Sequence, residues 1–189
     1  MRILVAFASR NGSTAEIAER VAGRLREAGR NVDVAEMGDG PEVSGYDAVV
    51  LGSAVHNQAW LPEASDFVSR HVSALSGLPL WLFSVGMPDG LPRLLRAKAK
   101  ALQEKRILGL LGADVLEPRG HRLFSGVYLE GQLKGAAHFS FRLIGGRFGD
   151  FRDWAAIESW ADGISQELAA RSGTLPSQDQ AGGSGREDA

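Results

Sequence analysis

Short apolar runs alternate along the chain with longer stretches in which apolar residues recur every three or four positions. A continuous apolar run is typical of a strand buried on both faces, and the wider spacing is typical of an amphipathic helix. The predicted strands span residues 2–8, 31–37, 48–53, 78–85 and 122–128, and the predicted helices span 13–30, 60–75, 91–105, 134–143 and 154–171. Strands that alternate with helices pair in parallel through right-handed crossovers. We therefore expect an α/β fold: a doubly wound, five-stranded parallel sheet in the order 2-1-3-4-5, with helices on both faces.

The last residues, 172–189, are small and polar and show no apolar periodicity. A segment of this composition buries too little apolar surface to order itself, so we expect a disordered tail, with a docking peptide as the alternative. No repeat or linker divides residues 1–171. We expect them to form one domain around a single core.

The composition narrows the functional classes. A net charge of −2 is unlike the basic excess of a general nucleic-acid binder, and the absence of cysteine excludes disulfides and thiolate chemistry. The chain starts directly with an apolar strand, and no apolar run approaches the ~18 residues of a membrane span, so we expect neither a secretory leader nor a transmembrane segment. We expect a cytoplasmic protein. The basic helix that begins at residue 91 suggests a further possibility, peripheral contact with the inner face of the membrane.

The first predicted strand passes into a helix through six small or polar residues, SRNGST at 9–14. Open parallel sheets bind ligands beyond the carboxyl ends of the strands where the strand order reverses, which here involves loops 9–14 and 53–60. The amino end of a helix leaves several N–H groups unpaired and attracts anions. One interpretation is that Ser13 or Thr14 caps the helix. The other is a phosphate cradle that uses the hydroxyls, the Asn11 amide and the flexible backbone of Gly12.

Several other motifs of this class of sheet are absent. The first loop contains neither G-x-G-x-x-G nor G-x-x-x-x-G-K-[ST], and no G-x-S-x-G nucleophile motif occurs. The strand ends carry serine and glycine in place of the acidic cluster that would hold magnesium in a receiver domain. His71, His121 and His138 lack metal-ligand spacing, and we expect no metal site.

The loop SRNGST resembles the T-x-T-G-x-T phosphate loop of flavodoxins, with Ser9, Asn11, Gly12 and Thr14 at the positions of that motif. This resemblance implies a flavodoxin-like fold and FMN as cofactor. The stretch YDAVVLGSAV at 46–55 resembles the flavodoxin-like protoporphyrinogen IX dehydrogenases of bacteria, and Ser84-Val85, Gly126 and Asp153-Trp154 follow in that family's order. The similarity extends over residues 1–171.

The second resemblance implies an FMN-dependent oxidoreductase of heme biosynthesis, which passes reducing equivalents from a porphyrinogen-like substrate through FMN to menaquinone. Two alternatives remain: a one-electron carrier that docks on redox proteins, and a flavodoxin-fold protein that binds partners without a cofactor. Carriers are usually strongly acidic around the flavin, and this chain is nearly neutral.

The implied flavin ring lies between loops 53–60 and 84–89. The candidate cofactor-binding residues are Ser9, Arg10, Asn11, Gly12, Ser13, Thr14, Ser53, Ala54, Val55, His56, Trp60, Ser84, Val85, Gly86, Met87 and Asp89. His56 has two interpretations. It is the candidate catalytic proton donor, because an imidazole can exchange a proton near neutral pH, or it is a solvated histidine of the loop. Trp60 either stacks on the flavin or anchors the second helix. Asp89 either repels an anionic reduced flavin or belongs to an Asp-Gly turn.

Overall fold

The computed structural model describes residues 1–87, 89, 93–129, 131, 135, 139, 143 and 146–172. The expected tail beyond Ser172 lies outside the described residues, as does most of the helix expected over 134–143. Across the described residues, no helix is both long enough and apolar enough to cross a membrane.

The apolar runs form the expected sheet. Its strands are β1 (Arg2–Ala8), β2 (Asn31–Glu36), β3 (Ala48–His56), β4 (Ala59–Trp60), β5 (Leu80–Gly86) and β6 (Gly120–Ser125), and a separate ribbon contains β7 (Val127–Tyr128) and β8 (Gly149–Asp150). The parallel strands follow the order β2-β1-β3-β5-β6, with β4 attached to β3. Counted without the short β4, this is the predicted order 2-1-3-4-5, and the predicted fold class is confirmed.

Two helical layers cover the sheet. The described helices are α1 (Ser13–Glu27), α2 (Pro62–Leu75), α3 (Arg93–Leu110), α4 (Ala113–Leu116) and α5 (Trp154–Ser172). Successive side chains of a strand point to opposite faces, and β1 shows the result: Ile3 and Val5 pack with α1 and α5, whereas Leu4 and Ala6 pack with α2, α3 and α4. Two buried cores, one on each face, explain why the strands read as continuous apolar runs.

Two antiparallel pairings of short strands were not expected from the sequence. β3 continues three residues past the predicted end at residue 53, because Val55 and His56 pair antiparallel with Trp60 and Ala59. The turn between them places Asn57 and Gln58 at φ 51° and 64°, the left-handed region that two-residue hairpins require. The prediction that a helix starts at Trp60 is therefore wrong, and α2 begins at Pro62.

The predicted last strand also divides. It ends at Ser125, and Val127 and Tyr128 leave the sheet to pair antiparallel with Asp150 and Gly149. The carboxyl ends of the parallel strands meet at one edge, where Ala8 pairs with Ser53 and Ser53 with Ser84.

Candidate cofactor site

The loop after β1 leads into α1 without a side-chain cap. Gly12 occupies the position before the helix in a left-handed conformation, with φ 87°, and no side chain forms a capping hydrogen bond. Its N–H donates to Ser9 Oγ at 3.1 Å, which closes the loop. Ser13 is already the first helical residue. The interpretation of Ser13 or Thr14 as a helix cap is therefore wrong, and the helix presents its first N–H groups without side-chain partners.

Thr14 supplies a second observation that fits an anionic ligand. The residue is 1% exposed, and its Oγ1 is buried without a hydrogen-bond partner. Burying a hydroxyl without a partner costs roughly 1–3 kcal/mol. A buried donor at an uncapped helix amino terminus matches the needs of a phosphate oxygen, so the loop fits the phosphate of FMN.

A cleft opens beside this loop in two chambers that share Asn11, Ala54, Val55 and Tyr128. We call the first the glycine chamber, of about 240 Å³; its lining is Asn11, Ser13, Ala54, Val55, Gln58, Val85, Gly86, Met87, Ala99, Gln103, Gly126, Val127 and Tyr128. We call the second the arginine chamber, of about 510 Å³; its lining is Arg10, Asn11, Ala54, Val55, His56, Asn57, Leu61, Tyr128 and Gly131. Among these described lining residues the charged or titratable groups of the arginine chamber are Arg10, His56 and Tyr128, and the glycine chamber has only the Tyr128 phenol that the two chambers share.

Two glycines leave bare backbone in the glycine chamber. Gly126 N–H donates to the Gly86 carbonyl at 3.0 Å, so the two lie side by side at the ends of neighbouring strands. A Cβ on Gly126 would lie 2.8 Å from Val85 Cγ1 and 3.0 Å from Ser13 Oγ. A side chain at this position would collide with Val85 and crowd the Ser13 hydroxyl, so glycine keeps the wall of the chamber beside loop 9–14 open.

The structure brings most of the predicted site residues together. Nine of them line the cleft: Arg10, Asn11, Ser13, Ala54, Val55, His56, Val85, Gly86 and Met87. Ser9, Gly12 and Thr14 build the adjoining loop. His56 is exposed in the arginine chamber.

Ser53, Trp60 and Ser84 lie inside the protein, and none of them lines either chamber. Ser53 Oγ accepts the Leu61 N–H at 3.1 Å and donates to the Ala54 carbonyl. The Trp60 indole is 4% exposed and donates to Ser84 Oγ at 2.8 Å. Trp60 therefore anchors the hairpin to the sheet, and stacking on a flavin is wrong for it.

Ser84 Oγ also meets His121 Nε2 at 2.8 Å. Burial, with a smaller contribution from the charge of Lys100, lowers the pKa of His121 to about 4. Because the Trp60 indole can only donate, Ser84 Oγ accepts from it, and the same hydroxyl shares a second hydrogen bond with the neutral His121 ring, whose tautomer sets the direction of that bond. This buried chain ties β4, β5 and β6 together.

Asp89 is also occupied outside the cleft lining. Its Oδ2 accepts a hydrogen bond from the Ser125 hydroxyl at 2.6 Å, and its backbone N–H donates to Ser125 Oγ at 3.2 Å. Its Oδ1 lies 3.5 Å from Arg96 Nη1. The carboxylate therefore faces Arg96 and Ser125, and Asp89 lines neither chamber.

Sequence reasoning missed several cleft residues. Tyr128 belongs to the predicted last strand, but its place in the cleft depends on the β7–β8 ribbon, where its ring stacks on Phe148 at 5.9 Å. Burial raises the pKa of Tyr128. Gln58 lies in the unpredicted hairpin turn, and Gln103 lies in α3, far along the chain from any predicted loop. The sequence did indicate Gly126, through the resemblance, and Gln58, through the predicted ligand loop 53–60, whereas Gln103 and Tyr128 carried no such signal.

The fold and the site define an α/β protein with an uncapped helix amino terminus and, at the carboxyl ends of its strands, a cleft whose described lining contains no aspartate or glutamate. The model of the flavodoxin domain family matches residues 4–133, and the chain belongs to this family. Family membership, together with the cradle, indicates that FMN is the bound cofactor and that the chain is a flavodoxin-type oxidoreductase.

Individual proteins resemble the chain either over part of its length or at low sequence identity. The chain is 33% identical over 89 residues to the protoporphyrinogen IX dehydrogenase [quinone] of Escherichia coli strain K12, a match that covers 46% of this chain and 49% of the relative. The match thus spans about half the length of that relative. Among solved structures, a short-chain flavodoxin associated with a bacterial microcompartment superposes with a TM-score of 0.58 at 13% identity, covering 88% of this chain and 98% of that chain. Oxidised flavodoxin 1 of Bacillus cereus gives 0.52 at 19%, covering 89% and 99%. These two likenesses concern the fold.

Proposed function

We propose that the chain is an FMN-dependent dehydrogenase that oxidises a porphyrinogen-like substrate and passes the reducing equivalents to a quinone. The observation that carries the FMN site is the buried, unpartnered Oγ1 of Thr14 at an uncapped helix amino terminus. The substrate and acceptor are supported by the name of the Escherichia coli relative, protoporphyrinogen IX dehydrogenase [quinone].

Loop 9–14 holds the phosphate in this proposal. Ser9, Asn11, Ser13 and Thr14 supply side-chain donors, and Gly12 allows the backbone to turn toward the ligand. The glycine chamber beside the loop takes the ring, against Ala54, Val55 and Met87 and over the bare backbone of Gly86 and Gly126. When bound there, FMN supplies the acceptance and release of reducing equivalents.

The arginine chamber is where the substrate binds. It shares Asn11, Ala54, Val55 and Tyr128 with the glycine chamber, so a second molecule placed there would contact a ligand of the first. Arg10 offers a guanidinium suited to a carboxylate such as a porphyrinogen carries, since the guanidinium fork binds carboxylates bidentately. His56 would accept or supply a proton at its ring nitrogen as the substrate is oxidised.

The charge of the cleft favours an enzyme over a one-electron carrier. None of the described residues that line the two chambers is an aspartate or a glutamate. A carrier usually surrounds its flavin with acidic groups that dock on basic partners, whereas this cleft offers Arg10 and His56.

Contact with an anionic membrane surface, which would bring a quinone near, is supported by the outer face of α3. Leu94 is 95% and Leu102 is 65% exposed, and the exposed side chains of Lys98 and Arg106 accompany them. Cations and protruding leucines together favour the surface of an anionic bilayer. Co-sedimentation with anionic vesicles, compared with neutral ones, tests this contact.

The central experiment starts from the FMN-loaded protein under anaerobic conditions. Protoporphyrinogen IX should bleach the visible absorption of the flavin as it is reduced, and menaquinone should restore it. Arg10→Gln should weaken bleaching by the porphyrinogen through a raised KM while dithionite bleaches the flavin as in the unmodified chain. A protein that binds FMN but is reduced only by a redox protein, and never by the porphyrinogen, would contradict the dehydrogenase and favour the carrier.

A further inference from the structure

One side chain of the glycine chamber has no explanation in the packing of the protein. Gln103 lies on α3 and lines the chamber with its carboxamide. The amide Nε2 and Oε1 each lie 3.4 Å from the point where a Cβ on Gly86 would stand. In the described part of the chain this half-buried amide forms no hydrogen bond.

The position of Gln103 on its helix makes this unusual. Ala99, Gln103 and Ile107 are spaced four residues apart and form one stripe of α3. Ile107 is fully buried in the core, and Ala99 is small and lines the chamber. An apolar side chain would continue this stripe at lower cost, because a half-buried amide without a partner loses part of its hydration. Gln103 lies at the point of this stripe where α3 passes the cleft.

The chemistry of the chamber specifies what the amide can recognise. Its other lining groups are mainly aliphatic side chains and bare backbone, and no charged side chain lines it among the described residues. A carboxamide offers one donor group and one acceptor side by side. One end of the flavin ring system presents the matching pattern, in which carbonyl oxygens flank an N–H. The rest of the ring is flat and apolar, as the remaining lining requires.

We propose that Gln103 binds the polar edge of the flavin ring and so selects a flavin as the occupant of the glycine chamber. This inference rests on the proposed FMN site. It assigns the two ends of the ligand to different parts of the chain: loop 9–14 binds the phosphate, and α3 reads the ring.

The division of roles predicts distinct ligand profiles. Gln103→Met keeps an unbranched side chain of similar length and helix propensity but removes both polar atoms. It should weaken FMN and riboflavin alike by about 10-fold, the effect of one net hydrogen bond lost in a half-buried site. The matched control is Ala101→Met, which places the same side chain on the exposed face of α3 and should change neither affinity. Quenching of flavin fluorescence measures the dissociation constants.

The redox potential gives an independent measurement on the same variants. An amide that donates to the ring stabilises the more electron-rich reduced form, so Gln103→Met should shift the midpoint potential of bound FMN to a more negative value than in the unmodified protein. Gln103→Glu, which adds a negative charge to the ring edge, should shift it further in the same direction. Ala101→Met should leave the potential unchanged.

The unmodified chain also permits a direct test, independent of how any variant folds. The side-chain NH₂ resonances of Gln103, assigned in a ¹⁵N-labelled sample, should move on addition of riboflavin, which lacks the phosphate. Resonances that stay in place while the flavin binds, or a Gln103→Met variant with unchanged affinities and potential, would overturn the proposal. A chain that binds no flavin at all would instead refute the FMN site on which the proposal depends.

Discussion

At the scale of single residues, loop 9–14 differs from an ordinary start of a helix. A serine or threonine before a helix ordinarily accepts a backbone N–H of the first turn. Here Gly12 takes that position, Ser9 Oγ accepts the Gly12 N–H, and Thr14 stays buried without a partner. None of the residues that resemble a cap therefore caps α1, which is the arrangement that the proposed phosphate site requires.

Thr14→Val should separate stability from binding. Valine keeps the branched shape and removes the buried hydroxyl that lacks a partner, so the free energy of unfolding of the apoprotein should stay the same or rise by about 1 kcal/mol. FMN affinity should fall by about 10-fold or more, because a hydrogen bond to a charged phosphate contributes about 1.5–3 kcal/mol. Urea unfolding and fluorescence titration measure the two quantities. Riboflavin affinity should not change, and an equal loss for both ligands would contradict the assignment of Thr14 to the phosphate.

Gly126→Ala should lower the stability of the protein, whereas the same substitution at Gly23 should raise it. Its new Cβ would stand 2.8 Å from Val85 Cγ1 and 3.0 Å from Ser13 Oγ, so the free energy of unfolding should fall by about 1–3 kcal/mol and flavin affinity should fall with it. Gly23→Ala, in the interior of α1 with nothing within 4 Å of the new Cβ, should raise stability by about 0.5–1 kcal/mol without affecting flavin binding. Thermal melts and FMN titration of both variants give the comparison. Unaltered binding in Gly126→Ala would show that the ligand does not approach this backbone.

At the scale of elements, the β3–β4 hairpin is positioned by a buried hydrogen-bond chain rather than by its turn. The turn itself is unfavourable, because Asn57 and Gln58 both adopt positive φ without glycine. Trp60 compensates by packing inside the protein and donating to Ser84, which in turn meets His121. This anchoring holds Ala54, Val55 and Gln58 at the cleft.

His121, the last residue of this hydrogen-bond chain, should make the stability of the protein depend on pH. The pKa of His121 is lowered to about 4 in the folded protein by burial, against about 6.5 in an unfolded chain. Between these values the unfolded state binds a proton that the folded state does not, so the free energy of unfolding decreases as the pH falls from 6.5 to 4. The slope is at most ~1.4 kcal/mol per pH unit for one proton.

His121→Gln keeps an acceptor for Ser84 but does not titrate, and it should remove this part of the slope. Urea unfolding at several pH values between 4 and 7 measures the difference between the two proteins. Above pH 6.5 the wild type and the variant should differ by a constant amount. Parallel curves over the whole range would show that His121 does not stay neutral in the folded state.

At the scale of the whole molecule, the cleft is assembled from segments far apart in the chain. Phe151 N–H donates to the Gly126 carbonyl at 3.2 Å, and Arg152 joins Asp150 of β8 to Glu16 of α1. The ribbon that carries Tyr128 is thus tied to the helix that begins at the phosphate loop. A ligand that touches both should stabilise the entire fold.

FMN binding should therefore raise the melting temperature. A ligand at 100 times its dissociation constant adds about 2.7 kcal/mol to the free energy of unfolding, which corresponds to about 5–10 °C for a domain of this size. A thermal melt with and without FMN measures the shift, and riboflavin should give a smaller one at equal concentration. A melting temperature that does not respond to saturating FMN would contradict a site built from the folded strand ends.

The sequence alone determined the fold class and the order of the main strands, and it carries the motif on which the proposed phosphate loop rests. Each depends on neighbours in the chain: apolar runs specify buried strands, and the loop motif is a glycine among hydroxyls between a strand and a helix. It also predicted nine of the residues that line the cleft, because strand ends in a parallel sheet meet at one edge.

Only the tertiary structure decided which of these residues face the cleft. Trp60, Ser53 and Ser84 have the same polar character as true cleft residues, but a hairpin and a histidine 37 residues away from Ser84 turn them inward. Gln103 and Tyr128 reach the cleft through helix packing and an antiparallel ribbon, neither of which leaves a local pattern. Local propensity and periodicity describe how each segment folds, whereas the direction of a side chain depends on which distant segment packs against it.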